Sequence, residues 1–241
     1  MKPKDRIIVA LDVSTVDEVV DLVIALAPHV GYFKVGLELI NSIGGPRAVR
    51  LVNSFGGRVF YDGKLHDIPA TMARSVSALA DCHVDMFNIH ASAGPRAIRE
   101  AAAAKGGSLL LGVTVLTSFD DHECQQVYGC NVDELVFRWA LLAGSNGCDG
   151  LVCSPADLPR FAGHPLLDRM VKVTPGVRPW PVEGDDQKRS MTPAEAIRAG
   201  ADYLVIGRPI TQPPVRIGSP VAAAKAIAQQ IKYALLAAAS L

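Results

Sequence analysis

The sequence predicts a single-domain α/β protein, residues 1–241, folded as an eight-stranded (β/α)₈ barrel, and three observations predict it. Short apolar runs recur along the 241 residues, each followed by a stretch with helical periodicity. The runs are apolar at consecutive positions and not at alternate ones, as strands of a parallel sheet buried on both faces are. There are eight of them, the number a closed β-then-α barrel needs. A chain of this length is comfortable as one domain with a sizeable core. A doubly wound open sheet is the alternative, but the Gly-x-Gly-x-x-Gly turn that usually follows its first strand is absent.

In order, the strand candidates are Ile7 to Leu11, Gly31 to Val35, Arg58 to Tyr61, Asp85 to Ile89, Leu109 to Val115, Gly150 to Cys153, Met170 to Thr174 and Tyr203 to Ile206. Helix candidates between them include Ser14 to Ala27, Ile68 to Ala80, Pro95 to Lys105, Asp133 to Ala143 and Thr192 to Ala199. Ser14 is placed to cap the first, and Thr192-Pro193 followed by Glu195 suits the start of another. Pro179 to Arg189 forms a long polar, breaker-rich loop after the seventh strand, where a mobile lid over an active site belongs. The Ala-rich segment Val221 to Leu241 is interrupted by Lys225, Gln229, Gln230 and Lys232, which makes it an amphipathic helix and not a membrane span.

Lys and Arg balance Asp and Glu at 24 each, so no electrostatic footprint for nucleic acid or an anionic membrane exists, and a small molecule is the expected partner. Cys82, Cys124, Cys130, Cys148 and Cys153 are odd in number and form no Cys-x-x-Cys pair, as expected of reduced, mostly buried thiols in a cytoplasmic protein. The N-terminal Met1 to Arg6 lacks the apolar core of a signal peptide. The six His are too scattered to suggest a metal triad, and no metal is expected.

In such a barrel the active site is built at the C-terminal ends of the strands. Asp12 ends strand one, Lys34 strand two, Asp62 and Lys64 strand three; Thr117 and Ser118 follow strand five, Arg178 strand seven, and Gly207-Arg208 strand eight. Asp12 alone has two readings, helix cap or functional carboxylate. Lys34, between Phe33 and Val35, needs counter-charges or a ligand if it faces inward.

Strand three carries the sharpest signal. Phe60, Asp62 and Lys64 project to one side of extended structure, so the two charges meet over the barrel mouth, and Gly63 lets the chain turn tightly there. Asp67, just before Ile68-Pro69 opens a helix, reads on its own as an N-cap. Two carboxylates and an ammonium within six residues, their repulsion relieved through Lys64, are the mark of a catalytic cluster. A bare backbone amide and a guanidinium at Gly207-Arg208, near a helix start after strand eight, suit a phosphorylated substrate, with Arg178 and Gln187 closing from loop seven. His90 competes for acid-base work, but a lone His beside an apolar strand is more often a structural hydrogen bonder.

Asp62-Gly63-Lys64-Leu65-His66-Asp67-Ile68-Pro69-x-Thr71 resembles the Asp-x-Lys-x-x-Asp-Ile-Pro-x-Thr signature of the orotidine 5'-phosphate decarboxylase family. Ala10-Leu11-Asp12, Phe33 to Gly36, Val115 to Ser118, Thr174 to Pro179, Asp186 to Arg189 and Gly207 to Thr211 agree with that family in order, over nearly the whole chain. The resemblance implies decarboxylation of orotidine 5'-phosphate to UMP and CO₂, with neither metal nor organic cofactor. It implies that Lys64 protonates C6 within an alternating network of Lys34, Asp62, Lys64 and Asp67. It implies further that Asp12 and Lys34 hold the ribose, that the segment from Asp62 through Ile68 to Thr71 lines the substrate, and that Thr117 lies near the pyrimidine. Gln187, Gly207 and Arg208 then bind phosphate, assisted by Arg178. Asp67 and Thr71 reach into a neighbouring subunit's site, which implies a homodimer.

Two rivals remain at this level. A related barrel that decarboxylates or aldol-cleaves a sugar phosphate with Mg²⁺ shares the strand-three frame but carries an acidic metal ligand where this chain has Lys34, whose charge disfavours a divalent cation. A non-catalytic phosphate-ligand sensor keeps Gly207-Arg208 but has no need of Lys34, Asp62, Lys64 and Asp67 together.

Overall fold

In the computed structural model, which describes residues 1–180 and 191–238, eight parallel strands close into a barrel in sequence order. They are β1 Ile7–Ala10, β2 Tyr32–Val35, β3 Val59–Leu65, β4 Met86–His90, β5 Leu109–Val113, β6 Gly150–Val152, β7 Val171–Thr174 and β8 Tyr203–Ile206, with β8 pairing back onto β1. The outer helices are α1 Val16–Leu26, α2 Leu37–Ile43, α3 Gly45–Ser54, α4 Pro69–Asp81, α5 Pro95–Ala104, α6 Asp121–Tyr128, α7 Val132–Ser145, α8 Leu158–Phe161, α9 Pro193–Arg198, α10 Arg208–Thr211 and α11 Pro220–Ala238.

The continuous apolar runs are explained by two cores back to back. One alternation of each strand points into the barrel, where Ile8, Ala10, Tyr32, Phe60, Met86, Leu111, Val173, Tyr203 and Val205 pack together. The other points outward, where Ile7, Val9, Phe33 and Phe87 meet helix residues such as Val19, Val23, Met72 and Val76. Every residue of β1 is therefore at most 3% exposed. α11 buries Ala223, Ala224, Ile227, Ile231 and Ala234 as one stripe, as its amphipathic sequence requires. No helix of the described residues is long and apolar enough to cross a membrane.

The N-terminal end of the barrel is tied by a repeated device. Asp85, Asp149 and Asp202 each stand one residue before an even-numbered strand, and each carboxylate accepts a backbone N–H of the preceding strand: Val59 at 2.8 Å, Leu110 at 2.7 Å and Lys172 at 2.9 Å. Asp149 is also paired with Lys105. The T-shaped contact of Tyr32 with Tyr203, centroids 5.5 Å apart, lies inside the barrel, with the Arg58 guanidinium 4.0 Å from the Tyr32 ring centre. Polar groups at this end hold strands together, which leaves the opposite mouth for chemistry.

Several boundaries differ from those expected. α1 is capped by Thr15 and not Ser14: the Glu18 N–H donates to Thr15 Oγ1 and the Thr15 N–H to Glu18 Oε2, a complete capping box, while Ser14 Oγ donates to Glu38 at 2.7 Å. Thr192 caps α9 in the same way, as expected. β3 runs four residues beyond Tyr61, through the charged cluster, whereas β5 stops two residues short of Val115. α2, α3, α6 and α8 fall outside the helix candidates.

Replacing Asp149 by Ala leaves the Leu110 N–H without this acceptor and Lys105 without its partner, and is expected to cost about 1–3 kcal/mol. Urea denaturation should show a lower midpoint with an unchanged m-value, and Asp149→Asn, which keeps an acceptor oxygen, should lose less.

Candidate active site

The inward-facing alternation turns polar at the C-terminal ends of the first strands. The Ala10 line continues to Asp12, Tyr32 is followed by Lys34, and Phe60 by Asp62 and Lys64. These side chains surround a cavity of about 300 Å³ whose lining also includes Thr117 after β5, Arg178 after β7, and Gly207 and Arg208 after β8. Eight of the twelve expected site residues thus meet in one place: Asp12, Lys34, Asp62, Lys64, Thr117, Arg178, Gly207 and Arg208.

Within it the charges form a chain of alternating sign. Lys34 Nζ lies 3.0 Å from Asp12 Oδ1 and 3.4 Å from Asp62 Oδ2, and Lys64 Nζ lies 2.7 Å from Asp62 Oδ1. Burial pushes the Lys34 pKa down, but the flanking carboxylates of Asp62 and Asp12 outweigh it and hold the ammonium above its ordinary value. The two guanidiniums stand on the β7–β8 side, so the mouth is alternating on one flank and cationic on the other.

The third strand departs from its expected geometry in a telling way. Tyr61 pairs with Phe87 and Leu65 with Ile89, so Asp62, Gly63 and Lys64 bulge out opposite Asn88 alone. The left-handed backbone falls on Lys64, at φ 47°, and not on Gly63. Gly63 is required instead for close approach, because a Cβ there would come within 2.5 Å of the Tyr61 ring. A non-glycine residue held in this conformation costs about 1–3 kcal/mol, and such strain gathers at functional sites.

Asn88 is the residue the sequence did not bring forward. It is fully buried; its Nδ2 donates to Asp62 Oδ1 at 2.6 Å and its Oδ1 accepts the Lys64 backbone N–H at 2.8 Å. The available signal was one amide inside the apolar run Met86-Phe87-Asn88-Ile89.

Asp67, Ile68 and Thr71 do not line the cavity of their own chain. Asp67 is not the N-cap of α4, because Pro69 at the first helical position makes Ile68 the cap; the exposed Asp67 carboxylate accepts the adjacent Ile68 N–H at 2.7 Å. Ile68 is 66% exposed. His90 is partly buried with its ring edge-on to His66, and burial, reinforced by His66 and Lys64, holds its pKa below the ordinary histidine value. It does not line the cavity. Gln187 and most of the expected lid, residues 181–189, lie outside the described residues.

The family model of orotidine 5'-phosphate decarboxylase / HUMPS matches residues 5–227. The chain belongs to that family. An orotidine 5'-phosphate decarboxylase of Moorella thermoacetica is 49% identical over 243 residues, covering 96% of this chain and 94% of the relative. One of Geotalea uraniireducens is 46% identical over 94% of this chain and 95% of its own. Among solved structures, the orotidine 5'-phosphate decarboxylase of Lactobacillus acidophilus superposes with a TM-score of 0.79 at 31% identity, over 93% of this chain and 98% of that one. The eight-stranded barrel lies within the matched residues, and Asp62 and Lys64 of its third strand converge with Lys34 at the barrel mouth.

One constraint on the site can be tested directly. A Cβ at Gly36 would stand 2.6 Å from Lys34 Nζ, so Gly36→Ala must displace the ammonium while its extended backbone, φ −97°, accepts alanine. The variant is expected to lose about 1–3 kcal/mol, because the ammonium no longer sits between its two carboxylates, and its crystal structure should show Lys34 Nζ farther from Asp62 Oδ2 than the present 3.4 Å.

Proposed function

We propose that this protein decarboxylates orotidine 5'-phosphate to UMP and CO₂, in pyrimidine nucleotide biosynthesis, with Lys64 as the acid that protonates C6. The observation that carries the reading is the Lys64 ammonium fixed 2.7 Å from Asp62 in a cavity whose other flank holds two guanidiniums. One flank suits a reacting carbon and the other a phosphate.

The bond from C6 to the carboxylate breaks and leaves its electron pair on C6. That carbanion is poorly stabilised by the ring, so positive charge must already be in place, and an ammonium held by ion pairs supplies it without reorganisation. Lys64 then gives its proton to C6 and recovers one from solvent. Asp62, beside the departing carboxylate, adds like-charge repulsion in the ground state. Asp12 and Lys34 would bind ribose hydroxyls, Thr117 would lie near the pyrimidine, and Gln187, Gly207 and Arg208 would bind the phosphate with Arg178. Phosphate contacts remote from C6 can orient the reacting carbon, each 1.4 kcal/mol so directed being worth about tenfold in rate.

We propose that the reaction needs no metal or cofactor. Lys34 already neutralises Asp12 and Asp62 at the position where a divalent cation would require free carboxylates, which counts against the Mg²⁺-dependent alternative. The sensor alternative leaves the alternating charges without a purpose. We further propose a homodimer in which Asp67, Ile68 and Thr71 complete the partner's site. Their position outside their own cavity supports this, as do Leu37 and Ile68, exposed apolar residues after β2 and β3. The five unpaired thiols suit the cytoplasm.

Lys64→Ala should lower kcat by at least about 10³-fold while UMP affinity stays within about threefold. Asp67→Asn should lose activity to a similar degree. Mixing and re-equilibrating the two inactive proteins should restore about a quarter of wild-type activity, since random pairing gives half heterodimers with one intact site each. Near-normal turnover by Lys64→Ala would contradict the proton donor, and no recovery on mixing would contradict the shared site.

A further inference from the structure

The bulge in β3 has a backbone consequence that the charged residues alone do not resolve. Three residues stand against one, so the strand ladder breaks at Asp62, Gly63 and Lys64. A ladder that breaks frees an N–H, and a left-handed residue is free to swing back toward the common region unless something holds it. Asn88 is the single residue opposite that gap. Its carboxamide is fully buried and bridges both ends of the bulge, accepting from the Lys64 N–H and donating to Asp62 Oδ1.

From this geometry we infer that Asn88 is a positioning residue: its side chain replaces the missing strand contact and locks Lys64 and Asp62 in the mutual geometry that proton delivery needs. The inference rests on the decarboxylase function proposed above. A carboxamide is suited to this place, because one end must accept from a backbone N–H and the other must donate to a carboxylate. An aspartate would offer the acceptor but set a second negative charge against Asp62. A leucine of similar size would fill the space and make neither bond. Asn88 does not line the cavity, so it acts on substrate only through the two groups it holds.

Two variants separate positioning from simple packing. Asn88→Leu should lower kcat by about 10- to 100-fold with KM within about threefold, since misplacing a catalytic group by about 1 Å can cost 10²-fold while remote phosphate binding is untouched. Asn88→Asp should be poor at neutral pH and recover as pH falls. Two facing carboxylates raise the pKa at which the first of them protonates, and a protonated residue 88 regains both bonds, its O–H donating to Asp62 and its carbonyl accepting from Lys64 N–H. The ratio of its kcat to that of wild type should therefore rise between about pH 8 and about pH 5. Lys34 and Lys64, paired with Asp62, and His90 near them stand beside this position in both proteins, so the ratio isolates the added carboxylate and the Asp62 that it faces.

A folded Asn88→Leu protein with kcat within twofold of wild type would overturn the inference, and so would a pH-independent ratio for Asn88→Asp. Should Asn88→Leu fail to fold, the pH ratio decides alone. Wild type is assayed alongside: if it leaves orotidine 5'-phosphate unchanged, the proposed function fails, whereas an active wild type with unaffected variants removes this inference only.

Discussion

Asp62 is a carboxylate only 8% exposed, and its burial constrains everything around it. A charge taken from water into a protein interior costs several kcal/mol unless opposite charges and hydrogen bonds replace the lost solvent. Asp62 has three such replacements: Lys64 at 2.7 Å, Asn88 at 2.6 Å and Lys34 at 3.4 Å. Each arrives from a different place along the chain, on β2, on β4 and on its own strand, and so the barrel must close in register for the set to exist. Lys34 is then tied to Asp12 beyond β1, which extends the arrangement across three consecutive strands.

The cluster stores strain as well as charge. Lys64 sits at positive φ, in a bulge that breaks the ladder, with its ammonium anchored to the residue two positions before it. Local backbone preference would not choose this. The surrounding bonds do, and the remaining barrel bears the cost: the opposite end carries three Asp-to-backbone ties and both faces of the strands are fully packed. Stability and chemistry are thus divided between the two ends of the barrel.

Much of this was legible in the sequence because parallel strands buried on both faces leave unbroken apolar runs, and because a polar residue ending such a run is conspicuous. Asp12, Lys34, Asp62, Lys64, Arg178 and Arg208 were visible for that reason. Asn88 was not, since it carries no charge and its importance depends on a cross-strand contact. Gly63 drew attention as the flexible point, yet the unusual φ lies on Lys64, and only the close approach of the Tyr61 ring reveals what the glycine is for. β3 appeared to end at Tyr61 because Asp62, Gly63 and Lys64 interrupt the apolar run, although strand pairing resumes at Leu65. α2 and α3 were hidden by Gly44-Gly45-Pro46, which breaks one helical stretch into two short ones. The capping reading of Asp67 failed because Pro69 shifts the helix start past it.

The proposed function rests on one claim above the others: that fixed ammonium groups, without a metal, suffice to expel CO₂ from the bound nucleotide. The most direct measurement follows the absorbance of orotidine 5'-phosphate mixed with the purified wild-type protein in excess EDTA, with UMP and CO₂ quantified at the end. Catalytic loss of absorbance, with both products formed one for one, is the predicted result. Saturable binding with no change in absorbance, or turnover that appears only when Mg²⁺ is added back, would contradict it.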